Sequence, residues 1–125
     1  MTALFWGQRL CRIAFGIGVI AIAVLSLLPA SDMPDVHMSD KIGHTLAYGC
    51  VMLAGGLGFW LQRQRLQVAG GLFLLGIAME LLQSLMPTRQ MSLLDIAANT
   101  VGIAAGLLLC LAATRHLQRR GSNRV

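Results

Sequence analysis

The chain has 125 residues, 56% hydrophobic and 12% charged, with a formal net charge of +5 and a mean hydropathy of +0.70. An ordinary soluble domain carries about 25% charged residues, so this composition excludes that class and indicates an integral membrane protein. The length suits a single domain, residues 1–125, and leaves little chain for a separate soluble catalytic unit.

A helix that crosses the hydrocarbon core needs about 20 consecutive, mostly apolar residues. The sequence predicts four such helices, at about 13–31, 42–61, 66–87 and 93–114. The first follows Arg9 and Arg12 and is longer than the roughly 7–15-residue core of a secretory signal, so it reads as a retained helix. Helix two opens "DKIGHTLAYG" after the connection "PASDMPDVHMSD", the one loop of real length. The segments "QRQRLQ" and "PTRQM" are short, which makes helices two and three, and then three and four, antiparallel neighbours. The tail "RHLQRRGSNRV" extends helix four by a turn or two. The expected fold is all-α: a small polytopic membrane protein built as a four-transmembrane-helix bundle.

Charge orients that bundle. Arg9, Arg12, Arg63, Arg65, Arg115, Arg119, Arg120 and Arg124 fall on one side of the topology; Lys41 and Arg89 fall on the other, with Asp32, Asp35 and Asp40. The excess of arginine marks the cytoplasmic side, so both termini are expected in the cytoplasm and the chain in the cytoplasmic membrane. Basic residues spread over helix ends argue against nucleic acid and leave anionic or precursor membrane lipid as the expected partner. Cys11, Cys50 and Cys110 are far apart and read as small apolar fillers. Gly102 and Gly106 form a GxxxG, extended by Ala98, that suits close packing within one bundle, with a dimerisation face as the alternative; the sequence leaves a homo-oligomer open without indicating one.

A handful of polar residues interrupt the apolar runs. Glu80 and Gln83 share a face of helix three, and Asp95 and Asn99 lie one turn apart at the start of helix four. Asp40, His44 and Tyr48 are spaced i, i+4, i+8 on helix two. Charge at the centre of a span costs about 3 kcal/mol or more, so these groups should turn toward one another. The expected result is a polar pocket on the extracytoplasmic side, walled by helices two, three and four. Its ligand-binding candidates are Asp40, Lys41, His44, Tyr48, Glu80, Gln83, Arg89, Asp95 and Asn99; His44, Glu80 and Asp95 are the candidates for acid–base work.

Each has a plainer explanation. Ser92-x-x-Asp95 is a capping-box pattern. Gln83 and Asn99 could be interhelical hydrogen-bond glue at about 0.6 kcal/mol each, Tyr48 packing, and Lys41 and Arg89 interfacial anchors. Glu80 lies about 9 Å from the end of a helix running to residue 87, too far for a helix end to account for it. A metal site from Asp40, His44, Glu80 and Asp95 is conceivable, but a D-x-x-x-H pair alone is a weak pattern. No metal and no other cofactor is assigned.

The ordered set DK-x-x-H-x-x-x-Y, then ExxQ, then R-x-x-S-x-x-D-x-x-x-N-x-x-G resembles the VanZ-like family of small membrane proteins. The matching stretches are "SLLP", "DKIGHTLAY" and "MELLQSLMPTRQMSLLDIAANTVGIAAG", from about Ser26 to about Gly106. The resemblance implies a four-helix span and a cell-envelope role linked to glycopeptide antibiotic susceptibility. It implies no particular reaction. Three readings follow from the residues: a site for a lipid head group or envelope precursor, a membrane-embedded enzyme acting on such a lipid, and a structural or partner-modulating protein. No GxSxG or HExxH motif supports the enzyme.

Overall fold

Long runs of helix-forming residues, uninterrupted by proline, account for the secondary structure. The computed structural model describes residues 2–28, 40–87 and 91–122. The described residues are all-α and form four helices: α1 (Thr2–Leu27), α2 (Asp40–Gly58), α3 (Gln62–Gln83) and α4 (Leu93–Ser122). Three of them, α1, α3 and α4, are long and apolar enough to cross a membrane. Their outer faces carry exposed Ile13, Ile17, Ile20 and Val24 on α1, Leu74 and Leu81 on α3, and Val101 and Leu108 on α4. Water would penalise such a surface and lipid would not, so the chain is a membrane protein.

The expected count of four spans is corrected by α2. Its first turns carry Asp40, Lys41 and His44, and glycines dilute its apolar content, so it falls short of the other three. The reason lies in its position. It packs most extensively on α4, then on α1 and α3, and its buried face includes Tyr48, Val51, Met52, Gly55 and Gly56. A helix covered by its neighbours needs less hydrophobic surface of its own.

Boundaries also move: α1 ends at Leu27 instead of 31, and α2 runs Asp40–Gly58 instead of about 42–61. Helix α1 starts at Thr2, so Arg9 and Arg12, expected ahead of it, lie within its first half. Arg12 Nε donates to Gly58 O at 2.8 Å, and its guanidinium stacks over the Phe59 ring at 5.0 Å. Helix α3 is displaced one turn toward the N-terminus and ends at Gln83, not at 87. Its last carbonyls are closed by tight turns, with Leu85 N–H donating to Leu82 O and Met86 N–H to Gln83 O. Pro87 then bars continuation.

The helices alternate in direction. Arg12 of α1 meets the end of α2, and Arg65 near the start of α3 reaches Thr114 late in α4. Arg9, Arg12, Arg63, Arg65, Arg115 and Arg119 thus share one end of the bundle. The core between the ends comprises Ile22, Tyr48, Val51, Met52, Leu72 and Ile103. Helices α2 and α4 approach closely because Gly102 and Gly106 lie against the Thr45 and Gly49 backbone. The GxxxG stripe is therefore filled by α2, inside the chain.

Arg65 is more than a topology signal. Its side chain is buried, and Nε donates to Gly56 O (3.0 Å) and Phe59 O (3.2 Å), the carbonyls that the end of α2 leaves unpaired. Cations suit that position. Arg65→Met keeps most of the apolar stem and strands both carbonyls. A loss of about 1–3 kcal/mol is expected for removing such charged hydrogen bonds, read as an earlier unfolding midpoint in SDS titration of the detergent-solubilised protein. An unchanged midpoint would show that the guanidinium contributes nothing there.

Candidate functional site

The opposite end of the bundle gathers the C-termini of α1 and α3 and the N-termini of α2 and α4. Each polar residue predicted for the site and lying in the described chain sits on one of these elements. Arg89 lies outside the described residues. From the rim inward, Asp40 and Lys41 are exposed, His44 and Asp95 are mostly covered (side chains 15% and 14% exposed), and Tyr48, Glu80, Gln83 and Asn99 are buried.

Asp40, His44 and Asp95 come together. Their potential ligand atoms all lie within 4.8 Å of one another, and His44 Nε2 stands 3.9 Å from Asp40 Oδ1. The other ring nitrogen of His44, Nδ1, donates to Asn99 Oδ1 at 3.0 Å, tying α2 to α4. Lys41 Nζ is 4.0 Å from Asp95 Oδ1, and it is the one cation at this end among the described residues. Thr45 Oγ1 donates to Ala98 O (3.2 Å) and to Lys41 O (2.9 Å), adding a second tie between the same two helices.

Glu80 is buried, and its carboxylate faces protein. Oε2 accepts the Ser92 N–H at 3.0 Å, while Ser92 Oγ accepts the Asp95 N–H at 3.3 Å. The start of α4 is thus capped in two halves. Ser92 supplies the usual one, and Glu80 of α3 takes the backbone donor that a capping-box acid at Asp95 would take. The expectation that no helix end could account for Glu80 is corrected: α3 stops three residues beyond it, and the N-terminus of α4 lies against its carboxylate. The Asp95 carboxylate is released from capping, and its Oδ1 is buried with no hydrogen-bond partner.

Gln83 points elsewhere. Its Nε2 donates to Ser26 O at 2.8 Å, so it closes the seam with α1 and not one with α2 or α4. Tyr48 and Asn99 both pack over Gly76, where a Cβ would come within 3.2 Å of Asn99 Nδ2 and 3.5 Å of Tyr48 Oη. The Tyr48 hydroxyl is buried and lacks a partner among the described residues. Sequence reasoning passed over Thr45 and gave Ser92 and Gly76 no part in the site. Ser92 had a signal, the capping pattern, but the pattern named the wrong acid.

Chemically, the cluster is rich in acceptors and poor in cations. Two carboxylates and an imidazole nitrogen face one another near the surface, and a fixed amide holds the imidazole from behind. Comparison of the chain with protein-family models, with curated proteins and with solved structures finds no match. The geometry and the motifs must therefore carry the functional reading.

Proposed function

We propose that this chain is a VanZ-like protein of the cytoplasmic membrane whose site engages the polar head group of an envelope lipid or lipid-linked precursor. The assignment rests on the ordered motifs from Ser26 to Gly106 and on the disposition of charge. Eight arginines fall on one side of the topology read from the sequence; by the positive-inside rule this supports a cytoplasmic position for both termini and an outward-facing polar cluster. Although it is not among the three helices long and apolar enough to cross a membrane, α2 has 19 residues, or about 28 Å of helix, close to the hydrocarbon thickness. On this reading α2 crosses as a fourth helix shielded by its neighbours, which would compensate for its polar start.

The observation that carries the reading is the gradient at the outer end. Exposed Lys41 and Asp40 stand at the level where head groups lie, and mostly covered His44 and Asp95 stand directly behind them. Lys41 at this rim, and Arg89 by its place in the sequence between α3 and α4, are the groups proposed to meet a phosphate. An influence on envelope properties, including susceptibility to glycopeptide antibiotics, follows if the bound lipid is an envelope precursor. Native mass spectrometry in mild detergent tests this: an anionic lipid should remain bound to the wild type, with several-fold lower occupancy in Lys41→Ala and Arg89→Ala. A wild type that carries no lipid would count decisively against it.

A second reading is favoured by specific contacts. Glu80–Ser92, Gln83–Ser26 and His44–Asn99 each join two segments, as they would in a cluster that locks the bundle for a partner-modulating role. The two readings diverge at the rim, because a lock has no use for exposed Asp40 and Lys41. The enzyme alternative would draw on His44 and Asp95, with Glu80 already committed to the Ser92 backbone.

A further inference from the structure

We propose that Asp40, His44 and Asp95 bind one divalent transition-metal ion of the Zn2+ or Mn2+ kind. Three observations support a site over a chance meeting of acids. First, one ligand atom from each residue lies within 4.8 Å of the others. Ligands held at about 2.0–2.2 Å around one ion stand roughly 3–4 Å apart, so a small rotation of exposed Asp40 closes the set. Asp40 and His44 share a face of α2 by their i, i+4 spacing, and Asp95 arrives from the first turn of α4.

Second, His44 Nδ1 lies 3.0 Å from Asn99 Oδ1, an oxygen placed to accept the Nδ1–H. In the neutral imidazole with its proton on Nδ1, Nε2 turns a lone pair toward Asp40 Oδ1 at 3.9 Å, and a cation between them would suit both. A metal-binding histidine characteristically has its other ring N–H held in this way by an oxygen behind it. Third, Asp95 Oδ1 is itself buried and has no hydrogen-bond donor, because Glu80 and Ser92 do the capping that would otherwise occupy Asp95. A buried carboxylate oxygen without a donor is costly, and a cation relieves it. Lys41 Nζ, at 4.0 Å, is too distant for a hydrogen bond. It is an exposed, flexible competitor for the same oxygen.

Imidazole with two carboxylates suits zinc or manganese better than calcium or magnesium, which prefer oxygen alone. Three protein ligands leave coordination positions open. If the head-group reading holds, an anionic oxygen can take one of them, with the ion cancelling the repulsion of the two acids. That extension rests on the reading above; the binding of the ion does not.

The test uses the untagged full-length protein in detergent, stripped with chelator and titrated with Zn2+ by calorimetry and with Mn2+ by electron paramagnetic resonance, with and without added anionic lipid. One ion per chain is expected. Binding should weaken at least tenfold in Asp40→Asn and His44→Ala, and about tenfold in Asn99→Ala, which removes the amide that holds the imidazole from behind. Circular dichroism and melting check that each variant is folded, and Asp40→Asn, at an exposed residue, keeps the test usable if the buried changes unfold the chain. Lys41→Ala should tighten ion binding while it weakens lipid binding. No saturable binding by the wild type, or wild-type affinity in Asp40→Asn and His44→Ala, overturns the proposal. Ion binding without any lipid binding overturns only the head-group reading.

Discussion

Gly102→Ala is expected to be among the most damaging single substitutions in this chain, for one added methyl group. A Cβ at Gly102 would run into Thr45 O and stand 3.0 Å from Thr45 C and 3.1 Å from Gly49 N. Those are backbone atoms in the middle of α2, and no side-chain rotation clears them. Relief requires α4 to move off α2, which are the two most extensively packed helices. The move would also stretch the Thr45–Ala98 and His44–Asn99 hydrogen bonds. Overpacking of a closely fitted contact costs about 1–3 kcal/mol, and the upper part of that range is expected here. Gly106→Ala, directed at Gly49 O and 2.9 Å from Met52 Cβ, should behave alike, and the double variant should not be additive.

The control lies in the same protein. Gly70 and Gly71 have nothing within 4 Å of a built Cβ. Alanine there gains helix propensity, worth about 1 kcal/mol in a helix interior, so Gly71→Ala should be neutral or slightly stabilising. SDS-unfolding midpoints of the variants make the comparison, and equal effects from Gly102→Ala and Gly71→Ala would refute the packing account. No change of oligomeric state should accompany the loss, because the stripe is already filled by α2.

Glu80 gives the second large effect. Glu80→Ala removes the acceptor for the Ser92 N–H and empties the space of a fully covered side chain. An unpaired buried donor alone costs about 1–3 kcal/mol, and the cavity adds to it. Glu80→Gln keeps an amide oxygen that can accept the same bond, so its melting temperature should stay close to that of the wild type. Complementation of a deletion strain then separates two roles. A stable Glu80→Gln protein that restores envelope behaviour marks Glu80 as a strut at the α3–α4 turn. A stable one that fails to restore it shows that the negative charge itself is used. Loss of stability equal to that of Glu80→Ala would contradict the hydrogen-bond geometry.

Several features were legible in the sequence because they depend on sums along the chain. Apolar runs announce helices, and arginine clusters mark the end at which they gather. The i, i+4 spacing of Asp40 and His44 puts them on one face whatever packs against it. The small-residue stripe at Ala98, Gly102 and Gly106 announces close approach by some neighbour. Composition alone could not reveal that α2 is the shielded helix. It looks like any span until α4 and α1 are seen to pack on it and its Tyr48, Val51 and Met52 are found buried.

Partnership was decided by the tertiary structure. A helix turns its side chains about 100° per residue, so a boundary misplaced by a turn, as at the end of α3, changes which groups meet. Glu80 and Gln83 look equivalent in the sequence, yet one caps α4 and the other reaches Ser26 of α1. Arg65 reads as a topology marker but proves to be the group that satisfies the end of α2. The chain by itself determined an all-helical membrane protein with its polar residues near one end, because hydropathy and charge act locally. The placing of Asp40, His44 and Asp95 around one point, with Asn99 behind the imidazole, required the axial rotation and close approach of α2 and α4, which arise only when the helices pack.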